Sequence, residues 1–247
     1  MAAMRAALQQ SMDQMAANAP GAAAGTDSEY LHQLRVGTRR LRAALRASRA
    51  LWRKDDVRAL RRQLRDLTAV SGPARDWDVF LRRAPVPLRA RARDRQRKAQ
   101  AALRRVLRAM QPLRLPRDAS RSRQSWPAFA RDVLEQLDRS AQRRAARADW
   151  ADAAARHALR IRLRRLRYVS EFASGAFPGH RAKPLIRSLK HLQDLLGELN
   201  DLEVARRLTR QLSGRDTRPK ERERKLLSEL AGAWRRFAAA PRFWRGK

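Results

Sequence analysis

A helix-forming motif that occurs twice, 125 residues apart, restricts the possible folds of this chain more than any other feature. Residues 32–42 read HQLRVGTRRLR and residues 157–167 read HALRIRLRRLR, with seven of eleven positions identical. In both segments leucines recur at spacings of three and four, as on one face of an amphipathic α-helix. The same shift, without a gap, pairs Gly72 with Gly197. Two matching segments at one shift predict an internal duplication.

Helical spacing continues through the rest of the chain, and β-branched residues are sparse. We therefore predict an all-α fold, with two pseudo-symmetric helical bundles that arise from the duplication. A single domain, residues 1–247, would consist of halves 1–115 and 126–240 joined by 116–125. The predicted helices lie near 2–17, 28–52, 56–71, 74–83 and 89–110 in the first half and near 127–147, 150–174, 182–196, 198–213 and 219–239 in the second. Proline and glycine mark the expected breaks, at Pro20-Gly21, Ser71-Gly72-Pro73, Pro85-Val86-Pro87 and Phe177-Pro178-Gly179.

The excess of cationic residues limits the kinds of molecule that the protein is expected to bind. The 247 residues carry 58 Lys and Arg against 24 Asp and Glu, a formal net charge of +34, while 43% hydrophobic residues suffice for a core. Such a surplus repels itself in the folded protein, so it must either be spread over the surface or face a polyanion: nucleic acid, an anionic membrane or a phosphate polymer. The absence of cysteine excludes disulfides and zinc–cysteine sites. No apolar run approaches the roughly 20 residues of a membrane span, and no secretory signal is evident. We therefore expect a cytoplasmic protein without a membrane partner.

Each copy of the motif places a line of cations beside its leucine stripe. At 3.6 residues per turn, the first line comprises His32, Arg35, Arg39, Arg42 and Arg46. The second line comprises His157, Arg160, Arg164 and Arg167. Arginine stems can extend from a core into water without binding anything, and we keep that interpretation for outer arginines such as Arg58, Arg61 and Arg62. A whole line repeated in two copies instead favours anion binding, because guanidinium groups form charge-assisted bonds with phosphate oxygens. Protonated histidines can donate to phosphate as well.

These motifs resemble the CHAD family (conserved histidine α-helical domain). Its pattern is a His-x-x-Arg-Val/Ile-x-x-Arg/Lys-Arg-Leu-Arg helix in two copies, each followed by a leucine-rich helix and an (Arg/Asn)-Asp-x-(Asp/Glu)-Val segment. The copies here are residues 32–42 followed by Arg75-Asp76-Trp77-Asp78-Val79, and residues 157–167 followed by Asn200-Asp201-Leu202-Glu203-Val204. The resemblance covers nearly the whole chain.

The resemblance implies two helical bundles that flank a basic groove, and binding of inorganic polyphosphate rather than catalysis. By carry-over, the implied polyphosphate-binding residues are His32, Arg35, Arg39, Arg42, Arg46, His157, Arg160, Arg164, Arg167, Lys183, Arg187 and Lys190. Such binding would bring the protein to polyphosphate granules. Gly37 stands opposite Arg162, which predicts unequal contributions from the two halves.

We expect no enzymatic activity, cofactor or metal. The run Glu221-Arg222-Glu223-Arg224-Lys225 fits the Glu-x-Glu-x-Lys signature of triphosphate tunnel metalloenzymes, which requires a β-strand. Here the run opens a predicted helix, on which residues two apart diverge, so we interpret it as a solvated helix face. Asp76 and Asp201 are interpreted as capping or bracing a helix start rather than holding a metal.

Two other functions compete with polyphosphate binding. A nonspecific nucleic-acid-binding protein would use the same charge, although single strands favour stacking aromatics, which are few here. A helical scaffold whose arginines only serve solubility would show no anion preference beyond charge. The sequence leaves the oligomeric state open.

Overall fold

A computed structural model describes residues 2–118, 125–177, 182–216 and 220–245. Within these ranges the chain forms eight α-helices and no strand, which confirms the predicted all-α class. The helices are α1 (Ala2–Ala24), α2 (Ser28–Ala47), α3 (Lys54–Leu81), α4 (Arg89–Ala109), α5 (Trp126–Ala146), α6 (Ala153–Ala173), α7 (Lys183–Ser213) and α8 (Lys220–Ala239).

The helices divide between two compact units. The first unit contains the described residues of Met1–Ser122 together with Leu208–Arg215, and the second contains those of Arg123–Arg207 and Asp216–Lys247. Helix α2 begins at Ser28 and helix α6 begins 125 residues later, at Ala153. This spacing is compatible with the predicted duplication, whose common origin stays a prediction.

The core of the first unit forms where α1 packs on α2 and where α3 packs on both α2 and α4. The predicted leucine stripe of α2 is buried, with Leu34 and Leu41 fully inaccessible. Burying one such side chain contributes about 1.5 to 3 kcal/mol. The leucines therefore fix which side of α2 faces inward, and with it the direction of the neighbouring cations.

Equivalent aspartates cap the two helices that carry the motif. Asp27 accepts a hydrogen bond from Glu29 N at 2.8 Å at the start of α2. Asp152, 125 residues later, accepts from Ala154 N at 3.1 Å and Ala155 N at 2.9 Å at the start of α6. Both carboxylates satisfy backbone N–H groups that a helix start leaves without an internal partner.

Three predicted helix breaks are wrong. Helix α3 is continuous through Pro73, and helix α7 is continuous through residues 196–198. Pro73 removes one backbone hydrogen bond, but Ser71, Ala74 and Trp77 extend the buried stripe across it. Tertiary burial therefore outweighs the local preference for a break. Helix α1 likewise continues past Pro20 and ends before Gly25, whose φ of 75° glycine adopts readily.

The second unit contains α5 packed on α6 and a C-terminal segment fixed to α5. Arg242 forms a paired hydrogen bond with the Asp138 carboxylate at 3.1 and 3.0 Å, and only 6% and 3% of the two side chains are exposed. Trp244 is fully buried and its Nε1 donates to Glu135 at 3.0 Å. Of the predicted break at Phe177-Pro178-Gly179, only Phe177 is described. Pro178 and Gly179 lie outside the described ranges.

Candidate functional site

The cations of α2 lie along one side of the buried leucine stripe, as the helical wheel predicts. We call His32, Arg35, Arg39, Arg42 and Arg46 the first edge. His32, Arg42 and Arg46 are exposed, whereas Arg35 and Arg39 are half-buried. The Nε atom of Arg39 is buried and has no hydrogen-bond partner among the described residues. Arg35 and Arg39 therefore differ from side chains that are freely solvated on an outer helix face.

Helix α3 holds two arginines of the first edge in place. Arg35 Nη1 donates to Ser71 Oγ at 3.3 Å, and Arg42 Nη1 donates to Thr68 Oγ1 at 2.8 Å. A Cβ at Gly72 would lie 3.7 Å from Arg35 Nη1. This distance is an ordinary van der Waals contact, so the Arg35 guanidinium lies against α3 at Gly72. Since an arginine has five N–H donors, the exposed Arg42 retains donors for a ligand.

Like charges crowd the first edge. Although part of its side chain is exposed, the His32 ring is partly desolvated by the surrounding protein, which lowers its pKa. Glu29 opposes this shift, whereas Arg39, Arg75 and Arg35 add to it. Burial also lowers the pKa of Arg42, and Arg61 and Arg65 lower it further. Cations at this spacing repel each other without an anion, so an anion would relieve repulsion as well as gain hydrogen bonds.

Sequence reasoning missed three cations beside the first edge. Arg61, Arg65 and Arg75 follow the same helical stripe of α3 as Thr68 and Gly72. Because Thr68 and Gly72 contact the first edge, the stripe faces it. Arg61 is exposed, as interpreted from the sequence, but its charge acts on Arg42 of the first edge. The spacing of four, three, four and three from residue 61 to residue 75 is a signal that could have revealed them.

The second unit repeats this arrangement on α6 and α7. We call His157, Arg160, Arg164 and Arg167 the second edge. His157 is exposed and the three arginines are half-buried. Arg167 Nε donates to Gln193 Oε1 at 3.0 Å, and a Cβ at Gly197 would lie 3.6 Å from Arg160 Nη2. These contacts correspond, at a shift of 125, to those of Arg42 with Thr68 and of Arg35 with Gly72.

The surroundings of the second edge are less cationic. Arg167 also pairs with Glu171, and its guanidinium carbon lies 4.5 Å from the centre of the Tyr168 ring. His157 Nδ1 lies 3.0 Å from Asn200 Oδ1. Neutral and acidic groups therefore contact cations of this edge.

The remaining predicted ligands and histidines lie on α7 or outside the described residues. Lys183, Arg187 and Lys190 are exposed on α7. His191 is also exposed, and Arg236 Nη2 lies 3.2 Å from its Nε2. His180 falls within 178–181, outside the described residues.

Positions 37 and 162 do not belong to the edges. A Cβ at Gly37 would lie 2.8 Å from Met15 Cγ and 3.0 Å from Ser11 O, so glycine allows α1 and α2 to approach closely. Arg162 instead donates from Nε to Ser140 Oγ on α5 at 3.3 Å. Gly37 therefore lies on the face of α2 that packs against α1, and its equivalent Arg162 lies on the face of α6 that packs against α5. The difference between these two positions therefore does not show how many ligand contacts each half makes.

The two motif aspartates do not begin helices. Asp76 lies inside α3 and Asp201 inside α7, so a role in capping a helix start is wrong. Asp76 lies 3.9 Å from Arg75 Nη1, which agrees with bracing an arginine. Within the described ranges, no cluster of three or more His, Asp or Glu side chains is arranged to hold a metal ion.

The charged run at residues 221–225 opens helix α8, as predicted. Its interpretation as a purely solvated face is only partly right. Glu223 accepts from the buried Arg156 at 3.1 Å, and Arg222 Nε donates to Glu198 at 2.7 Å. This run therefore attaches α8 to α6 and α7. None of the described helices is both long and apolar enough to span a membrane.

Comparisons with known proteins identify the family and similar folds. The CHAD domain family model matches residues 6–210. The crystal structure of the CHAD domain from the plant Ricinus communis is similar, with 25% identity, coverage of 97% of this chain and 91% of that chain, and a TM-score of 0.68. PptA from Streptomyces chartreusis shares the fold at 14% identity, with coverage of 96% and 94% and a TM-score of 0.61. A comparison with curated proteins gives no match. Because the family model spans far more than half of its length, the chain belongs to the CHAD domain family.

Proposed function

We propose that this protein binds inorganic polyphosphate through the first and second edges, and that this binding brings it to polyphosphate granules. CHAD domains are associated with polyphosphate binding. The proposal contains no catalytic step. Its ligands are the residues of the two edges, with Lys183, Arg187 and Lys190 as additions on α7.

The observation that carries the proposal is the matched attachment of an arginine in each edge. Arg42 bonds Thr68 and Arg167 bonds Gln193, each across 26 positions of sequence and onto the following long helix. Ordered guanidinium groups lose less conformational freedom when a phosphate binds. Successive cations one helical turn apart, about 5 to 6 Å, present a regular row of donors to a linear polyanion.

The scarcity of exposed aromatic rings favours a phosphate polymer over single-stranded nucleic acid. Among the residues that the structure describes, Tyr30 is the one exposed aromatic side chain, at 42%. Proteins that bind single strands usually stack bases on aromatic rings. Nonspecific contacts with duplex phosphates need no ring, so duplex DNA remains the second candidate on the basis of charge.

Removal of four edge arginines tests the proposal. We expect the variant Arg35→Ala/Arg39→Ala/Arg160→Ala/Arg164→Ala to lose at least about a hundredfold in affinity for long-chain polyphosphate, since each charge-assisted contact contributes about 1.5 to 3 kcal/mol. The helices should persist, as measured by circular dichroism. Fluorescence anisotropy with labelled polyphosphate reports the affinity.

A control with the same net charge separates edge binding from bulk charge. The control removes four exposed arginines of α4 and α8, namely Arg93, Arg105, Arg224 and Arg235. It should bind within about threefold of wild type, because salt screens exposed charges that do not contact the ligand. Equal losses in both variants would contradict the proposal.

A further inference from the structure

Positions equivalent at a shift of 125 give the two edges different charges. Arg46 is the last cation of the first edge, and Glu171 occupies the equivalent position on α6. Glu171 accepts a hydrogen bond from Arg167 Nη1. A polyphosphate that binds Arg167 must therefore compete with a carboxylate of the protein itself. Arg42, the equivalent of Arg167, contacts only the neutral Thr68 among the hydrogen bonds described above.

The helical stripe that faces each edge shows the same difference. On α3 the stripe carries Arg61, Arg65 and Arg75 around Thr68 and Gly72. On α7 the equivalent positions are Ile186, Lys190, Gln193, Gly197 and Asn200. The α3 stripe thus carries three cations and the α7 stripe carries one. Lys183 and Arg187 of α7 have cationic equivalents on α3, Arg58 and Arg62, so they do not change this difference.

The histidines reflect this difference directly. His157 contacts the neutral Asn200, at 3.0 Å between Nδ1 and Oδ1. The equivalent of Asn200 is Arg75, whose positive charge acts on His32. The first edge therefore concentrates positive charge where the second edge has an amide.

We propose that the first edge, together with Arg61, Arg65 and Arg75, is the stronger polyphosphate-binding surface of this protein, and that the second edge binds more weakly. This inference rests on the proposed function. Its physical basis is a higher density of cations on the first unit and an internal carboxylate competitor on the second. Both favour the first edge, since attraction for a polyanion grows with the number of phosphates neutralised.

Paired alanine variants in the full-length chain measure the two edges separately. Arg35→Ala/Arg39→Ala and Arg160→Ala/Arg164→Ala remove the same number of charges at equivalent positions. We expect both pairs to weaken polyphosphate binding, and the first pair to cost at least about tenfold more affinity than the second. Equal losses, or a larger loss from the second pair, would overturn the inference while leaving the proposed function intact. If neither pair changes the affinity, the proposed function itself fails.

A charge-conserving exchange gives a stricter test. The exchanged chain carries Arg46→Glu, Arg75→Asn, Glu171→Arg and Asn200→Arg, and it retains the wild-type net charge. In this background we expect the second alanine pair to become the more damaging one. If the first pair stays the more damaging, the four exchanged residues do not set the preference and the inference is wrong. Circular dichroism and thermal unfolding of each variant exclude loss of the fold as the cause.

Discussion

The positions of individual edge residues could be predicted from the sequence where those residues belong to a periodic pattern. The leucine stripe and the cation line of α2 follow from spacing alone, and the structure places both as expected. Arg61 and Arg75 were missed because each was considered singly, without the partner helix that gives the stripe its direction. The role of Gly37 could not be predicted, since it depends on how closely Met15 of α1 approaches.

His32 should make polyphosphate binding depend on pH. Burial, Arg39, Arg75 and Arg35 lower its pKa in the free protein against the opposing effect of Glu29. A bound polyanion favours the imidazolium and raises the pKa, so binding takes up a proton. The affinity should therefore rise as the pH falls from about 8 to 6, the usual histidine range.

Substitution of the histidine checks this assignment. We expect His32→Gln to flatten the dependence of the dissociation constant on pH, with titrations of both proteins in the same buffers to cancel ionisation of the polyphosphate. An NMR titration of the His32 ring, with and without polyphosphate, measures the pKa change itself. An unchanged slope in His32→Gln would show that His32 does not contact the ligand.

For the helices, the sequence predicted which segments are helical, but it did not predict where one helix continues into the next. The ends of α4, α5, α6 and α8 lie close to their predicted positions, whereas α2 ends at Ala47, five residues before its predicted end. Local signals at Pro20 and Pro73 predicted breaks that tertiary burial overrides. The C-terminal attachment to α5 had no sequence signal, because Arg242 and Asp138 are 104 residues apart and pair only in the folded unit.

The buried pair of Arg242 and Asp138 should stabilise the second unit. Arg242 also donates from Nη1 to the carbonyl oxygens of Phe237 and Ala238 at 2.9 and 3.1 Å, at the end of α8. We expect Arg242→Ala to lower the free energy of unfolding by about 3 to 5 kcal/mol, because it leaves a buried carboxylate without its partner. Urea unfolding followed by circular dichroism measures this change.

A second substitution distinguishes the ion pair from general packing. The double variant Arg242→Ala/Asp138→Ala removes both charges, so it should be less destabilised than the sum of the two single variants. Additive losses would indicate that the two side chains act independently. Arg242 lies beyond residues 6–210, the part of the chain that the family model matches, whereas Asp138 lies within it.

For the whole molecule, composition and the repeated motif were sufficient to predict an all-α fold and the CHAD family. Two compact units with a cationic edge on each agree with that outline. Net charge of +34 alone cannot select a ligand, because every polyanion benefits from it. Preference has to come from the order and spacing of donors within each edge, which composition does not report.

Competition between polyanions tests the central claim most directly. Labelled long-chain polyphosphate bound to the full-length protein is displaced by unlabelled polyphosphate, duplex DNA or single-stranded RNA, at matched phosphate concentration and near-physiological salt. We expect polyphosphate to compete at least about tenfold better than either nucleic acid, whereas all three should weaken as salt rises. Equal competition by duplex DNA would contradict polyphosphate binding and support nonspecific attraction to nucleic acid.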